Sequence, residues 1–369
     1  MTDPVRVMVV DDSPFICRLM TSHLESVPDI KVVGTALNGL QALAMIKDVR
    51  PDVITLDLEM PEMNGEQTLE AIMYDHPTPV VLVSGVSRQA AQVTLRALEM
   101  GAVDFILKYT PGIDTDPDAL RQEIIAKVRA ASRIHVIRSV RRRSVGDGEF
   151  ALVATHSRTI PRENATSPGN HYDVTPFIPG GVVVIGASTG GPVALRELVS
   201  TLPTDFPAAV VIVQHIPSTF TNVLAAQLNR HSNLRIKEAQ SGDRLQAGVA
   251  LVAPGGFHLL VRPDSRVELN QGPEIGGHRP SIDVTMQSVA QLYGSRTKGV
   301  VLTGMGNDGT LGLVAIHAKG GQTFAQDAAS CVVNGMPQRA IDKGVVDHIA
   351  PPSQIGQLLR LECSRKRER

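Results

Sequence analysis

The chain has 369 residues, of which 43% are hydrophobic and 20% charged, with a formal net charge of -1. That is long enough for two cored domains and unlike a disordered chain. The near-neutral balance, with 3% aromatic residues and no Trp, excludes a basic nucleic-acid surface and a base-stacking platform, so nucleic acid is not an expected partner.

Cys17, Cys331 and Cys363 are widely separated and lack CxxC spacing, which indicates neither a disulfide framework nor a zinc site. The opening MTDPVRVMVVDDS has a short apolar run broken by Arg6 and closed by two acids, unlike a signal peptide. No run reaches the roughly 20 apolar residues of a membrane span. The expectation is a cytoplasmic protein without direct membrane insertion.

From Val5 to about Ile137, β-branched runs alternate with amphipathic stretches. The runs are Val5 to Val10, Ile30 to Val33, Val53 to Leu56, Val80 to Val83 and Val103 to Leu107. Segments such as Pro14 to Ser26 and Leu40 to Val49 repeat apolar residues at helical spacing. Five β-then-α units predict a doubly wound parallel sheet over residues 1–137. A basic cluster, Arg138 and Arg141 to Arg143, then leads into a Ser, Thr, Pro, Asn and Gly-rich stretch. Residues 138–179 read as a flexible linker.

Alternation resumes at 180 and predicts a second doubly wound α/β domain to 363, followed by a charged tail, 364–369. Its expected strands are Val182 to Ile185, Ala208 to Val213, Val249 to Ala253, Leu259 to Arg262, Val300 to Thr303 and Thr323 to Ala325. Helices are expected at Val193 to Thr201, Phe220 to Asn229, Val284 to Leu292 and Leu311 to Lys319.

In a parallel sheet the functional groups gather at the carboxyl ends of the strands. In the first half these ends carry Asp11 and Asp12, Asp57, Ser84 and Lys108. Three converging carboxylates repel one another unless a divalent cation sits among them, and oxygen ligands with open positions suit Mg2+. Asp12 or Ser13 before Pro14 also reads as a helix cap, but capping does not account for the lysine.

VVDDS, LDLEMPEMNG, LVSG and DFILK resemble the receiver domain of two-component response regulators, over about residues 4–130. The resemblance implies a flavodoxin-like (βα)5 fold, phosphoryl transfer to Asp57 from a histidine kinase, and Mg2+ organised by Asp11, Asp12 and Asp57. It also implies a switch formed by Ser84 and Phe105, with Lys108 beside it. Tyr109 stands where receivers usually have proline.

In the second half, Gly186 to Pro192 reads GASTGGP, follows a strand and opens a helix. That context suits a nucleophilic Ser188 with an oxyanion stabilised by nearby N–H groups. A phosphate-binding loop is the competing reading, although GxGxxG order and a Walker lysine are missing; a plain glycine turn is another. Among the 11 histidines, His215 ends the next strand and would share the rim with Ser188. Asp243, Asp283, Asp308 and Asp327 all lie near glycines or strand ends, and spacing does not rank them. Cys331 in QDAASC is a rival nucleophile.

IGASTGG, VQHIP, APGGFHLL, RPSIDV, TGMGNDG and AQDAASCVVNGMP together resemble the catalytic domain of the chemotaxis protein-glutamate methylesterases, over roughly residues 180–360. The resemblance implies a triad of Ser188, His215 and Asp308. It further implies hydrolysis of glutamate methyl esters on methyl-accepting chemoreceptors and deamidation of receptor glutamines. No cofactor is needed for ester hydrolysis. Oxyanion donors are expected at Thr189, Gly190 and the 304–306 loop, including Met305.

Other outputs fit less well. A receiver-controlled transcription factor would carry a short basic helix-turn-helix module, and a nucleotide-dependent oxidoreductase a GxGxxG fingerprint. A general α/β-hydrolase would place its histidine last in chain order.

Overall fold

The computed structural model describes residues 3–108, 117–134, 178 and 180–364. The first unit runs β1 (Val5–Val10), α1 (Pro14–Leu24), β2 (Ile30–Ala36), α2 (Gly39–Val49) and β3 (Val53–Asp57). It continues with α3 (Gly65–Asp75), β4 (Val80–Ser84), α4 (Arg88–Glu99), β5 (Asp104–Leu107) and α5 (Pro117–Ala131). All strand pairings are parallel, in the order β2-β1-β3-β4-β5.

Side chains alternate across a strand, and the two faces are covered accordingly. Val7, Val9, Val53, Val81 and Val83 pack with residues of α1 and α5. Met8, Val10, Ile54, Leu56 and Leu82 pack with α2, α3 and α4. Burial on both faces is why these strands are near-continuous apolar runs. Ser13 caps α1, its Oγ accepting from Ile16 N–H at 3.4 Å, and Pro14 occupies the first turn, where no intrahelical N–H is needed.

The second unit contains β6 (Val182–Ala187), α6 (Gly191–Val199), β7 (Ala209–Gln214), α7 (Ser218–Arg230), β8 (Arg235–Glu238), β9 (Val249–Val252), β10 (His258–Val261) and β11 (Val267–Asn270). It ends with α8 (Ile282–Tyr293), β12 (Thr297–Val301), α9 (Thr310–Ala318), β13 (Gln322–Gln326), α10 (Met336–Asp342), β14 (His348–Ala350) and α11 (Pro352–Ser364). Seven strands form a parallel sheet in the order β14-β13-β12-β6-β7-β9-β8. The chain starts at the central β6, builds outward through β7, and returns to β12 on the other side. This places a switch point beside β6, where a parallel sheet opens its crevice.

Two sequence expectations change here. The run beginning at Leu259 belongs to the antiparallel hairpin β10–β11, outside the main sheet. The edge strands β8 and β14 are additional; RIKE and HIA are short and only partly buried, so they carry little apolar pattern to read. The proposed linker, apart from residue 178, and the charged tail, apart from Ser364, lie outside the described residues, as does Tyr109.

The units touch through α4, which packs on α6 and α7. Glu99 at the end of α4 accepts from Gln227 Nε2 at 2.5 Å and pairs with Arg196 Nη1 at 2.9 Å. Phe105 stacks on Phe220, with ring centroids 4.7 Å apart.

Candidate active site and phosphoacceptor site

At the carboxyl rim of the first sheet, Asp11, Asp12 and Asp57 each present a carboxylate oxygen, all within 4.8 Å of one another. Asp11 and Asp57 are buried and Asp12 is exposed. An all-oxygen set with one solvent-facing member fits Mg2+, which retains water ligands. Lys108 Nζ reaches in from the end of β5, 2.6 Å from Asp57 Oδ2 and 3.2 Å from Asp11 Oδ2. Burial pushes the Asp57 carboxyl up to about 6, against the lowering influence of Lys108. For Lys108 burial opposes the charge, but the hydrogen bond and field of Asp57 outweigh it and hold the ammonium above its ordinary value.

Ser84 and Phe105 lie on adjacent strands. The Ser84 hydroxyl is buried and hydrogen-bonds Thr94 Oγ1 at 2.6 Å. Phe105 is buried too, but against Phe220 of the second unit. The first rim is thus connected through β5 to the surface of the second domain.

In the second sheet, Ser188 directly follows β6 and its backbone N–H donates to Thr303 O at 3.0 Å. The turn is tight for reasons legible in its glycines. Gly190 has φ +77°, a left-handed conformation, and a Cβ there would meet Val332 Cβ at 2.5 Å. A Cβ on Gly304 would lie 2.7 Å from Ser188 Cβ. Ser188 itself is not among the positive-φ residues, so the left-handed position falls two residues after the serine, on a glycine. Gln214, at the end of β7, fixes the turn by donating Nε2 to the carbonyls of Ser188 and His215, at 2.9 and 3.0 Å.

His215 Nε2 lies 2.9 Å from Asp308 Oδ2, both side chains being more than nine-tenths buried. Asp308 is held from several directions. Its Oδ1 accepts from Ser281 Oγ, Asp283 N–H and Gly309 N–H at 3.0, 2.9 and 3.0 Å, and its Oδ2 from Ile282 N–H at 2.7 Å. The carboxylate therefore sits on the N-terminus of α8, where the helix dipole favours an anion. Burial is the largest single influence and works against ionisation, but His215 and these backbone donors prevail and hold the carboxyl down at about 2.

An ionised Asp308 accepts the Nε2 proton and leaves Nδ1 as the acceptor nitrogen of His215. That atom is buried and has no hydrogen-bond partner among the described residues. Ser188 and His215 line one cleft of about 680 Å³, whose other walls include Phe105 and Lys108 from the first unit. The backbone N–H groups of Thr189, Gly190 and Met305 have no hydrogen-bond acceptor among the described residues. All three residues lie around the Ser188 turn; Thr189 and Met305 line the cleft.

The competing acids are otherwise engaged. Asp243 pairs with Lys237 at 2.6 Å, and Asp327 accepts from Ser330 Oγ at 2.7 Å. Asp283 accepts from Gly312 N–H at 2.7 Å; burial and the charge of Asp308 push it up to about 6. Burial and Asp327 push the Cys331 thiol up to about 12, which makes it a poor nucleophile. The fold also adds residues that spacing did not bring forward. His278 stacks on His215 with centroids 3.8 Å apart and planes 15° apart. Asp104 of the first unit accepts from Thr189 Oγ1 at 2.6 Å. Gln214 adjoins His215 in VQHIP, Ser281 falls within RPSIDV and Asp104 opens DFILK, so all three stood inside quoted motifs without being singled out; His278 had no comparable signal.

Residues 183–359 match the CheB methylesterase family and residues 7–124 the response regulator receiver domain. A protein-glutamate methylesterase/protein-glutamine glutaminase of Symbiobacterium thermophilum is 43% identical over 359 residues, covering 96% of each chain. One from Pyrococcus horikoshii is 39% identical over 355 residues, covering 95% of this chain and 91% of its own. The crystal structure of the Thermotoga maritima CheB methylesterase catalytic domain is 41% identical with a TM-score of 0.48, covering 49% of this chain and 98% of that one. No described helix is long and apolar enough to cross a membrane. The chain therefore belongs to the CheB methylesterase family, in the form that carries an N-terminal receiver domain.

Proposed function

We propose that this chain is a phosphorylation-controlled protein-glutamate methylesterase and protein-glutamine deamidase acting on methylated chemoreceptors in the cytoplasm. The observation that carries the reading is the His215–Asp308 pair at 2.9 Å, in the same cleft as Ser188. The relatives' names and the family match support the substrate class. We assign residues 1–137 to the receiver, 138–179 to the linker, 180–363 to the catalytic domain and 364–369 to the tail.

Ser188 Oγ attacks the carbonyl of the glutamyl methyl ester while His215 Nδ1 takes its proton. Asp308 holds the Nε2 proton and stabilises the imidazolium. The oxyanion is received by the free N–H groups of Thr189, Gly190 and Met305. Methanol leaves with the proton returned by His215, and water attacks the acyl-enzyme to release the carboxylate. With a glutamine substrate, ammonia is the leaving group and the remaining steps are unchanged.

Asp57 accepts the phosphoryl group from a histidine kinase. Asp11, Asp12 and Asp57 would hold Mg2+, which when bound neutralises charge on the phosphoryl oxygens. Lys108 pairs with the phosphorylated site, and Ser84 and Phe105 respond to it. Because receiver residues wall the cleft that contains Ser188, phosphorylation raises activity by favouring an arrangement in which the receiver moves off.

The test is methanol release from methylated receptor membranes by the full chain, with and without a small phosphodonor. Stimulation by the donor, and loss of release in Ser188→Ala, are expected. Undiminished demethylation by Ser188→Ala would remove the serine-esterase reading.

A further inference from the structure

The hydrogen bond between Thr189 and Asp104 crosses from the catalytic domain to the receiver beside the nucleophile. Thr189 Oγ1 donates to Asp104 Oδ2 at 2.6 Å, and the two residues are only 6% and 7% exposed. Both line the cleft containing Ser188. The contact therefore lies inside the substrate space, away from the rim of the interface.

The rest of Asp104 is fixed from the receiver side. Its Oδ1 accepts from the N–H of Phe105 at 2.7 Å and stands 3.6 Å from Lys127 Nζ. Lys127 also donates to Phe105 O at 2.5 Å. Thr189 is fixed in turn by its carbonyl, which accepts from Thr303 Oγ1 at 2.9 Å. A rigid carboxylate thus meets a rigid hydroxyl one residue from Ser188.

The chemistry of that carboxylate matters. Hydrolysis of a glutamyl ester, or of a glutamine side chain, ends in a carboxylate next to Ser188. Asp104 brings the same functional group into the same cleft on a side chain one methylene shorter than glutamate. A purely steric cover would need only apolar bulk, and Phe105 against Phe220 already supplies it.

We propose that Thr189 is a substrate-binding residue whose hydroxyl donates to the glutamyl ester or carboxyl group, and that the receiver silences the enzyme by placing Asp104 on this donor as a tethered mimic of the product. The proposal rests on the serine-esterase reading and deepens its regulation. Asp104 precedes Phe105 in β5 and is hydrogen-bonded to its N–H, so displacement of β5 on phosphorylation withdraws the carboxylate and frees the hydroxyl for substrate. Free carboxylates of the product type should then compete with substrate at the same donor.

The experiment measures methanol release by the full-length protein from methylated receptor membranes. Without phosphodonor, Asp104→Ala should be about tenfold faster than wild type, the effect of losing a buried charge-assisted hydrogen bond; Asp104→Asn, which keeps the shape but loses the charge, should fall between. With phosphodonor, Thr189→Val should raise KM by about tenfold with a smaller change in kcat, and Thr189→Ser should restore it. N-acetylglutamate should inhibit the activated wild type competitively and inhibit Thr189→Val at least about fivefold less.

A wild-type basal rate in both Asp104 variants would overturn the product-mimic role. An unchanged KM in Thr189→Val, or equal inhibition of it by N-acetylglutamate, would overturn the substrate-binding role. Ser188→Ala run in parallel separates the two levels: methanol release by that variant sinks the esterase reading itself, whereas its silence combined with either outcome above sinks only the assignment of Thr189 and Asp104.

Discussion

Phe105 of the receiver lies face to face with Phe220 of the catalytic domain, ring centroids 4.7 Å apart and planes 9° apart. Phe220 is fully buried at the start of α7, and Phe105 follows Asp104 in β5. A signal that moves Phe105 must therefore break an aromatic contact that helps hold the two domains together.

Phe220→Leu keeps an apolar side chain at this position and removes the ring pair. Such pairs contribute about 1 kcal/mol beyond their burial, so the closed arrangement should weaken by that amount. Methanol release without phosphodonor is expected to rise about fivefold. The ratio of rates with and without donor should shrink correspondingly. A basal rate equal to wild type would mean that the stack does not contribute to closure.

The His215–Asp308 pair makes a different prediction. Asp308→Asn preserves size but removes the charge that fixes Nε2 as the protonated nitrogen, and kcat should drop by about a thousandfold or more. The substitution also sets an amide NH2 against some of the four donors now directed at the carboxylate. Because the folded carboxyl is held at about 2, below its unfolded value, its stabilisation is fully present above about pH 4. It is lost as the pH falls through 2, and amounts to about 2 kcal/mol. Denaturant unfolding of wild type and Asp308→Asn at pH 5 and pH 2.5 measures this: the gap between them should narrow at the lower pH.

The receiver predicts a cation effect of definite sign. Lys108 places its ammonium 2.6 Å from Asp57 and 3.2 Å from Asp11, competing electrostatically with a divalent ion. Lys108→Met should bind Mg2+ more tightly than wild type in a calorimetric titration, while its stimulation by phosphodonor is lost. Asp57→Asn should bind the ion more weakly and bring the rates with and without donor to about the same value. Removing Mg2+ with a chelator should abolish stimulation of the wild type.

These residues differ in how readily the sequence exposes them. Asp11, Asp57, Ser84 and Lys108 each end an apolar strand, so one parallel sheet brings them to one rim and the polar punctuation of the runs is enough to find them. Ser188 and His215 are legible for the same reason. Asp308 is not, because four acids occupy similar positions in the chain. The resemblance carried by TGMGNDG implies it, and the path of α8, whose first N–H groups point at Asp308, holds it where it meets His215. Asp104 looked like an ordinary strand residue because its role depends on domain docking, which no periodicity encodes. The hairpin β10–β11 likewise reads as sheet until its antiparallel pairing separates it.

His278 supplies a last test, stacked on a face of the His215 ring whose Nε2 edge is held by Asp308. Burial first, and the neighbouring His215 second, push its imidazole down to about 4, with Asp308 acting in the opposite direction. An unfolded histidine titrates near 6.5, so between about pH 6.5 and 4 the unfolded chain binds a proton that the folded chain does not. Stability must therefore fall as the pH is lowered through that window. Partial solvation of the ring reduces the full effect, leaving on the order of 1–2 kcal/mol. His278→Phe retains a ring to stack on His215 but cannot titrate. Denaturant unfolding of the full chain at pH 7 and pH 4.5 should show wild type losing more stability than the variant, by that margin, because titrating groups that do not touch His278 contribute equally to both. Equal losses would place the His278 ring in contact with solvent rather than against His215.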